Sequence, residues 1–299
     1  MTRFRVVHLT DVHIPPLPRL GWRDLMGKRL LGLRSWHHKW KREHRAEILE
    51  ALQQALEEVA PDHFCVTGDL TFTTHPEEIR QATRWLESLG PVERISLVPG
   101  NHDAYVPGAL EQALEAWARW MRDDEDGEGF PYLQRRGPID IIGLNTAIPL
   151  RLPITVGRLG TGQIERTRAL LQRTEADARP RVLLLHHPLQ DGVARRGKQL
   201  LDRAALREML AEQRVELVLH GHLHQPLEAM LESRAGAIRV LGSGSASALG
   251  DRYHPAHFRV IEFDSTGPAT ECQWQYNRQS ERFEPGPARE LNRDPARNP

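Results

Sequence analysis

Five short apolar segments of this chain each run straight into an Asp, Asn or His, and that recurrence narrows the available folds more than any bulk property. The segment "RVVHLT" (5–10) leads to Asp11 and His13, and "HFCVT" (63–67) leads to Gly68 and Asp69. "RISLVPG" (94–100) leads to Asn101, His102 and Asp103. "RVLLLHH" (181–187) ends on His186 and His187, and "VELVLHG" (215–221) carries His220 and runs on to His222 and His224. Short apolar runs bounded by turn residues read as strands buried on both faces. Longer segments of helical period lie between them. Residues 43–60 place Ile48, Leu49, Leu52, Leu56 and Val59 on one stripe, with Pro61 as the stop. Further helices are expected at 76–90, opened by Pro76, and near 109–122, 163–176 and 202–213. "IDIIGLN" (139–145) and "AIRVLGSGS" (237–245) add strands, and "FRVIEFD" (258–264) with "TECQWQY" (270–276) reads as a closing antiparallel pair. The fold class is therefore α/β, with strand ends delivering loops to one rim, where ligands collect in such folds. One domain over 1–283 is expected, followed by a Pro-, Arg- and Asn-rich tail, 284–299, that reads as disordered.

The bulk numbers exclude several function classes. Lys plus Arg equals Asp plus Glu at 40 each, so no global charge draws the chain to nucleic acid or membrane. Only two cysteines are present, Cys65 and Cys272, far apart, which argues against a disulfide scaffold and fits a reducing compartment. The start, "MTRFRVVHLTD", enters a strand pattern with no apolar leader. No apolar run approaches the ~20 residues that span a bilayer. A soluble, cytoplasmic protein is the expectation.

The strand-end residues carry the chemistry. Residues i and i+2 of an extended chain point the same way, so Asp11 with His13, and His222 with His224, can each face one cavity. Gly68, Gly100 and Gly221 allow close backbone approach there. Carboxylate, amide oxygen and imidazole without thiolate make a mixed N/O shell, suited to Mn, Fe, Zn or Mg rather than to a cluster or Cys-zinc site. So many ligands exceed one ion, and two divalent or transition metals are the economical reading. Ligating histidines must be neutral, so metal affinity is expected to fall in mild acid.

The series "DVH", "GD", "GNHD", "HHP" and "GHLH", in that order, resembles the calcineurin-like metallophosphoesterase superfamily over most of 5–225. The resemblance implies a two-sheet β sandwich flanked by helices, the αββα arrangement. It implies that Asp11, His13, Asp69 and His224 hold the first metal. Asp69 would bridge to a second, completed by Asn101, His186 and His222. His186 is preferred to His187 because it stands two residues before Pro188. His102 would contact the scissile phosphate and protonate the leaving oxygen, oriented by Asp103. The implied reaction is in-line attack on phosphorus by a hydroxide held between the metals. His187, Tyr105 and Asn145 are candidates for substrate contact. His220 reads as structural, His75 as a helix-start residue, and "GSGSAS" (242–247) as a plain turn more than a phosphate cradle.

Residues 15–44 form a basic insertion directly after His13. From 19 to 45 nine Lys and Arg face only Asp24 and Glu43, a local net charge of +7, and Trp22, Trp36 and Trp40 lie within it. Leu25, Met26, Leu30, Leu33, Trp36 and Trp40 recur at helical spacing, while His37, His38 and His44 sit among cations and read as surface residues. Four readings stay open: an extra helix packed on the body, a cap, a source of cations for a polyanionic substrate, or a peripheral contact with an anionic membrane. The insertion resembles caps of superfamily members that cleave lipid-linked pyrophosphates, whereas "GNHD" resembles the bacterial cyclic-nucleotide phosphodiesterase branch. The expected activity is hydrolysis of a phosphodiester or pyrophosphate in a nucleotide or lipid-linked substrate. A phosphomonoesterase or phosphoprotein phosphatase is the enzymatic alternative, and a non-catalytic scaffold the alternative from another class. Nucleic acid is disfavoured as substrate, because no aromatic-studded basic stripe lies outside the insertion.

Overall fold

The structure, a computed structural model, describes residues 3–18, 21, 28–125, 127–149, 154–251 and 254–291. The chain runs β1 (Phe4–Leu9), α1 (Lys28–Ser35), a π-helical turn at Trp36–Trp40, α2 (Lys41–Glu43), α3 (Ala46–Val59), β2 (His63–Val66), α4 (Pro76–Ser88), β3 (Ile95–Leu97) and α5 (Ala109–Trp117). The second half follows with β4 (Tyr132–Arg136), β5 (Ile139–Gly143), α6 (Thr161–Arg173), β6 (Arg181–Leu184), α7 (Arg203–Ala211), β7 (Leu217–His220), β8 (Leu227–Leu231) and β9 (Ile238–Gly242). β10 (His257–Asp264), β11 (Gly267–Asn277), β12 (Arg282–Pro285) and β13 (Arg289–Glu290) close it.

Two sheets result. One has the order β12-β11-β10-β1-β2-β3, with β13 also on β11; the other has β4-β5-β6-β7-β9-β8. β1, β2 and β3 are parallel, as are β5, β6, β7 and β9. Alternation along the strands of the second sheet divides its side chains between two layers. Ile141, Val182, Leu184, Leu217, Leu219 and Leu241 face the first sheet, in one core with Val6, Leu9, Val66 and Ile261. Ile142, Leu183, Leu185, Val218 and Val240 pack instead with Ile164, Leu170, Leu206 and Met209 of α6 and α7. On the other side, Ile48, Leu52 and Leu56 of α3 and Ile79 and Leu86 of α4 cover the first sheet. This is the expected helix–sheet–sheet–helix sandwich.

Local chemistry sets the ends of the helices nearest the site. α4 begins with a capping box: the His75 side chain accepts from Glu77 N, Pro76 takes the first turn, and Glu78 reaches back to His75 N. The buried Glu78 carboxylate also accepts from Phe72 N and from Thr73 N and Oγ1, which ties down the loop between β2 and α4. α3 starts at Ala46 rather than 43, because His44 is extended (φ −98°, ψ 107°) and bridges to Ala248. Two strands escape the apolar-run criterion. β4 mixes Leu133 with Gln134, Arg135 and Arg136, and β8 is a half-exposed edge strand; pairing with β5 and β9 makes them strands. The tail expectation is corrected for 284–291, where β12 and β13 pair with β11 and Leu291 is buried; residues 292–299 lie outside the described residues.

The two sheets are tied by a buried cation. Arg259 on β10, 3% exposed, donates to Gly242 O at the end of β9 (2.8 Å) and to Leu227 O on β8, and pairs with the buried Glu271 of β11. Arg289 also holds Glu271. Removing one partner of such a pair strands the other charge. Glu271→Ala is expected to lower unfolding free energy by about 3 kcal/mol, read as a reduced urea midpoint with an unchanged m-value.

Candidate metal centre

The parallel strands of both sheets end on the same rim. The first sheet delivers Asp11 and His13 after β1, Asp69 after β2, and Asn101 and His102 after β3. The second delivers His186 after β6, and His222 and His224 after β7. All except His102 are at most 5% exposed. Asp69 stands in the middle. Its Oδ2 lies 3.9 Å from His13 Nε2 on one side and 3.4 Å from His186 Nε2 on the other, while its Oδ1 accepts from the His102 N–H (2.6 Å). Asp11 Oδ1 lies 3.1 Å from His224 Nε2, and Asn101 Oδ1 lies 3.0 Å from His186 Nε2. Two groups of donors have metal-ligand spacing: His13, His44 and His224, and Asp11, Asp69 and His186, with donor atoms within 4.8 Å of one another in each.

The backbone that presents these groups is strained. Asp11 (φ 49°), His13 (40°), Asp69 (54°), His222 (75°) and His224 (52°) are all left-handed, a region costly for residues with a Cβ. The i and i+2 pairs therefore converge through left-handed turns beyond the strands, not along an extended chain. Such strain persists where the surroundings over-determine it. Here Asp11 N and His13 N donate to Gly68 O and Asp69 O, and His222 N donates to Asp11 Oδ2. Gly221 and Gly100 make this approach possible: a Cβ on Gly221 would strike Thr10 Oγ1 and the Asp11 carboxylate, and one on Gly100 would strike Asp69.

The donor set fits metal ions. Asp11 Oδ1, His13 Nε2 and His44 Nε2 are buried and accept no hydrogen bond among the described residues, which is costly unless a cation faces them. Their opposite atoms are satisfied: Asp11 Oδ2 accepts from Thr10 Oγ1, and His13 Nδ1–H donates to Thr71 O. His222 Nε2–H donates to Lys198 O (3.1 Å), which leaves Nδ1 as its lone-pair atom. Burial, then neighbouring imidazoles, hold His13 and His222 well below the usual histidine range, so both stay neutral. His186 behaves oppositely. Burial pulls it down, but the Asp69 carboxylate, then Asp11 and Thr67 O, raise it to about 9. Its Nδ1–H donates to Thr67 O while Nε2 faces Asn101 Oδ1 and Asp69 Oδ2.

Several expected roles are corrected. Asp103 does not orient the His102 ring. Its carboxylate accepts from Gly100 N, Asp69 N, Thr71 N and Thr71 Oγ1, so it holds the β2 and β3 loops together, and burial with the Asp69 charge pushes it up to about 7. The orienting acceptor is Phe72 O, 2.8 Å from His102 Nδ1. His187 is fully buried with both nitrogens engaged, Nδ1 by Thr146 Oγ1 and Nε2 by Thr155 O, and its ring packs on His222 (4.4 Å); it has no atom left for substrate. Asn145 closes its own turn, with Oδ1 accepting from Ala147 N and its backbone bonded to Gln163, away from the cavity. His220 is buried and held by Gln190 and Gly221 O. The "GSGSAS" amides of Ser243, Gly244, Ala246 and Ser247 bond within the protein, so they form no phosphate cradle.

A cavity of about 360 Å³ lies over the donors, lined by Asp69, Asn101, His102, His222 and His224, and walled by Trp40, Phe72 and Tyr105. Tyr105 thus does line it, stacked on His102 (5.9 Å, 27°). Leu31, Ser35, Thr155 and Lys198 complete the walls. The insertion therefore covers the site from α1 and the π-helical turn. Its apolar stripe is less regular than expected: Gly32 and Trp36 are buried while Leu30 and Leu31 are 48% and 58% exposed. Trp22, Leu25 and Met26 lie outside the described residues. His44, expected at the surface among its neighbouring cations, is instead 1% exposed and joins the first donor group, because the insertion returns to the body at this residue.

Two donor groups of metal-ligand spacing meet at a common strand rim, with Asp69 Oδ2 between His13 and His186, an arrangement that suits a dinuclear metal centre. Residues 4–226 match the calcineurin-like phosphoesterase family, and the chain belongs to it; it is a metal-dependent phosphoric ester hydrolase of a family that uses dinuclear metal centres. It is 31% identical to a probable cyclic nucleotide phosphodiesterase of Synechococcus sp. over 217 residues, 71% of this chain and 76% of that protein. Among solved structures it shares its fold with a dimetal phosphatase from Danio rerio (TM-score 0.60, 13% identity, 90% of this chain and 95% of that one). It is also similar to the purple acid phosphatase PPD1 of yellow lupin, Lupinus luteus (TM-score 0.56, 16% identity, 95% of this chain and 53% of that one). No helix among the described residues is long and apolar enough to cross a membrane.

Two outcomes are expected. His186, raised to about 9, must lose its proton to ligate, so Mn²⁺ binding at pH 7.5 should release about one proton from it, falling away as pH rises past 9; calorimetric titration in buffers of different ionisation enthalpy reads this directly. Gly221→Ala should lose metal uptake at least about tenfold, a scale seen when ligand supports are disturbed, measured as bound metal per chain after gel filtration.

Proposed function

We propose that the chain hydrolyses a phosphodiester of a nucleotide, cyclic nucleotides included. Asp11, His13, Asp69 and His224 hold one metal, and Asp69, Asn101, His186 and His222 the other. The observation that carries this reading is the placement of His102. Its Nδ1 is anchored on Phe72 O, and it lines a cavity that the donors also line and that three aromatic rings wall. When bound, the two cations supply Lewis-acid activation of water and neutralise charge on the phosphoryl group. The chain's own residues do the rest. With Nδ1–H donating to Phe72 O, the ring is oriented and Nε2 is the nitrogen left to pass a proton to the departing oxygen. Trp40, Phe72 and Tyr105 offer flat faces for a base, and Lys198 at the wall offers a cation to the phosphate. The likeness to the probable cyclic nucleotide phosphodiesterase supports the same choice.

A second reading, a lipid-linked phosphate, is favoured by the exposed Leu30 and Leu31 of α1, since Leu31 also lines the cavity. A hydrolysis panel with added Mn²⁺ separates the two readings by comparing a cyclic nucleotide, a linear diester, a monoester and a lipid-linked sugar pyrophosphate. The cyclic or linear diester should be turned over fastest, and monoester-only turnover would overturn the reading. His102→Ala should lower kcat on nucleoside leaving groups about 10²–10⁴-fold. The loss should be much smaller on a p-nitrophenyl ester, whose leaving group departs without a proton.

A further inference from the structure

The insertion that follows His13 returns to the body at His44, and the atoms around that ring define what it can do. His44 Nδ1 lies 2.6 Å from Ser247 Oγ, and Ser247 Oγ itself donates its only proton to Val12 O. A hydroxyl that has given its proton away can only accept, so His44 Nδ1 must carry the proton and Nε2 must be the bare lone pair. That Nε2 is buried and takes no hydrogen bond among the described residues. It lies with the donor atoms of His13 and His224 inside a 4.8 Å group, the rings of His13 and His44 being 5.0 Å apart. The arrangement is braced. Trp40 and Trp36 lie nearly parallel to the His44 ring on 5.3 Å and 6.5 Å centroids, Glu43 O accepts from Leu249 N, and the Glu43 carboxylate accepts from Gly250 N. Ser245, beside Ser247, donates to Asp11 O, so one serine pair fixes both the β1 loop and the insertion.

We infer that His44 is an additional ligand of the first metal, delivered by the insertion through the Ser247-fixed Nε2. The inference rests on the assignment of His13 and His224 to that metal. With Asp11, Asp69, His13 and His224 it makes five protein donors, three of them imidazoles, against four at the second metal. Five donors disfavour a tetrahedral zinc site and suit a metal of higher coordination number, such as Mn or Fe. The insertion is thereby part of the metal centre, and its removal would open one coordination position as well as the cavity wall.

The test is calorimetric titration of Mn²⁺ into the metal-free full-length protein, with Co²⁺ absorption as an independent report on coordination. In His44→Ala one of the two Mn²⁺ affinities should fall at least about tenfold while the other is kept, and the Co²⁺ visible bands of the weakened site should shift. Two unchanged affinities with an unchanged Co²⁺ spectrum would overturn the inference, even if the melting temperature dropped, because a purely structural histidine would behave in that way. If His44→Ala does not fold, Ser247→Ala keeps the imidazole and removes the partner that fixes its tautomer. The same single-site weakening is then expected, and wild-type binding at both sites would overturn the inference. Wild-type protein that takes up no Mn²⁺ would instead fail the dinuclear reading itself.

Discussion

Two carboxylates, Asp11 and Asp69, are buried where the strand ends of two sheets meet, and the organisation of the rim follows from that. A buried carboxylate is costly unless its lone pairs are met by donors or by a cation. In each, one oxygen is satisfied locally, Asp11 Oδ2 by Thr10 and His222 N, Asp69 Oδ1 by His102 N. The other oxygen is turned toward imidazoles, and Asp69 Oδ2 is placed between His13 and His186. The imidazoles in turn spend their far nitrogens on carbonyls, Thr71 O for His13 and Thr67 O for His186, which turns their Nε2 atoms inward. Strained left-handed backbone at five of these residues is the conformational cost of that convergence.

Support for the centre comes from groups that never face it. Asp103 collects three backbone N–H groups from the β2 and β3 loops, and Glu78 collects those of Phe72, Thr73 and His75. The second cluster positions the Phe72 carbonyl that orients His102. The chain of cause thus runs from a helix cap at α4, through the loop it organises, to the ring that faces the cavity. The insertion adds a wall of Leu31, Ser35 and Trp40 and leaves Leu30 and Leu31 in solvent.

What the amino-acid sequence alone determined was the α/β alternation, legible because an apolar run and its flanking turn residues depend only on neighbours within a few residues, while the two-sheet class followed from the likeness of the motif series to a known family. The strands β4 and β8 were not legible, since each is weakly apolar and becomes a strand only against β5 or β9. Asp103 looked like the partner of His102 because it follows it, His187 looked available because it adjoins His186, and His44 looked solvated because it sits among cations. Only the tertiary structure decided otherwise. Ser247, 203 residues from His44, and Thr146, 41 residues from His187, determine which ring nitrogens are consumed and which keep a lone pair. A histidine's chemistry lies in the atom its distant partner leaves over, and chain proximity carries no record of that partner.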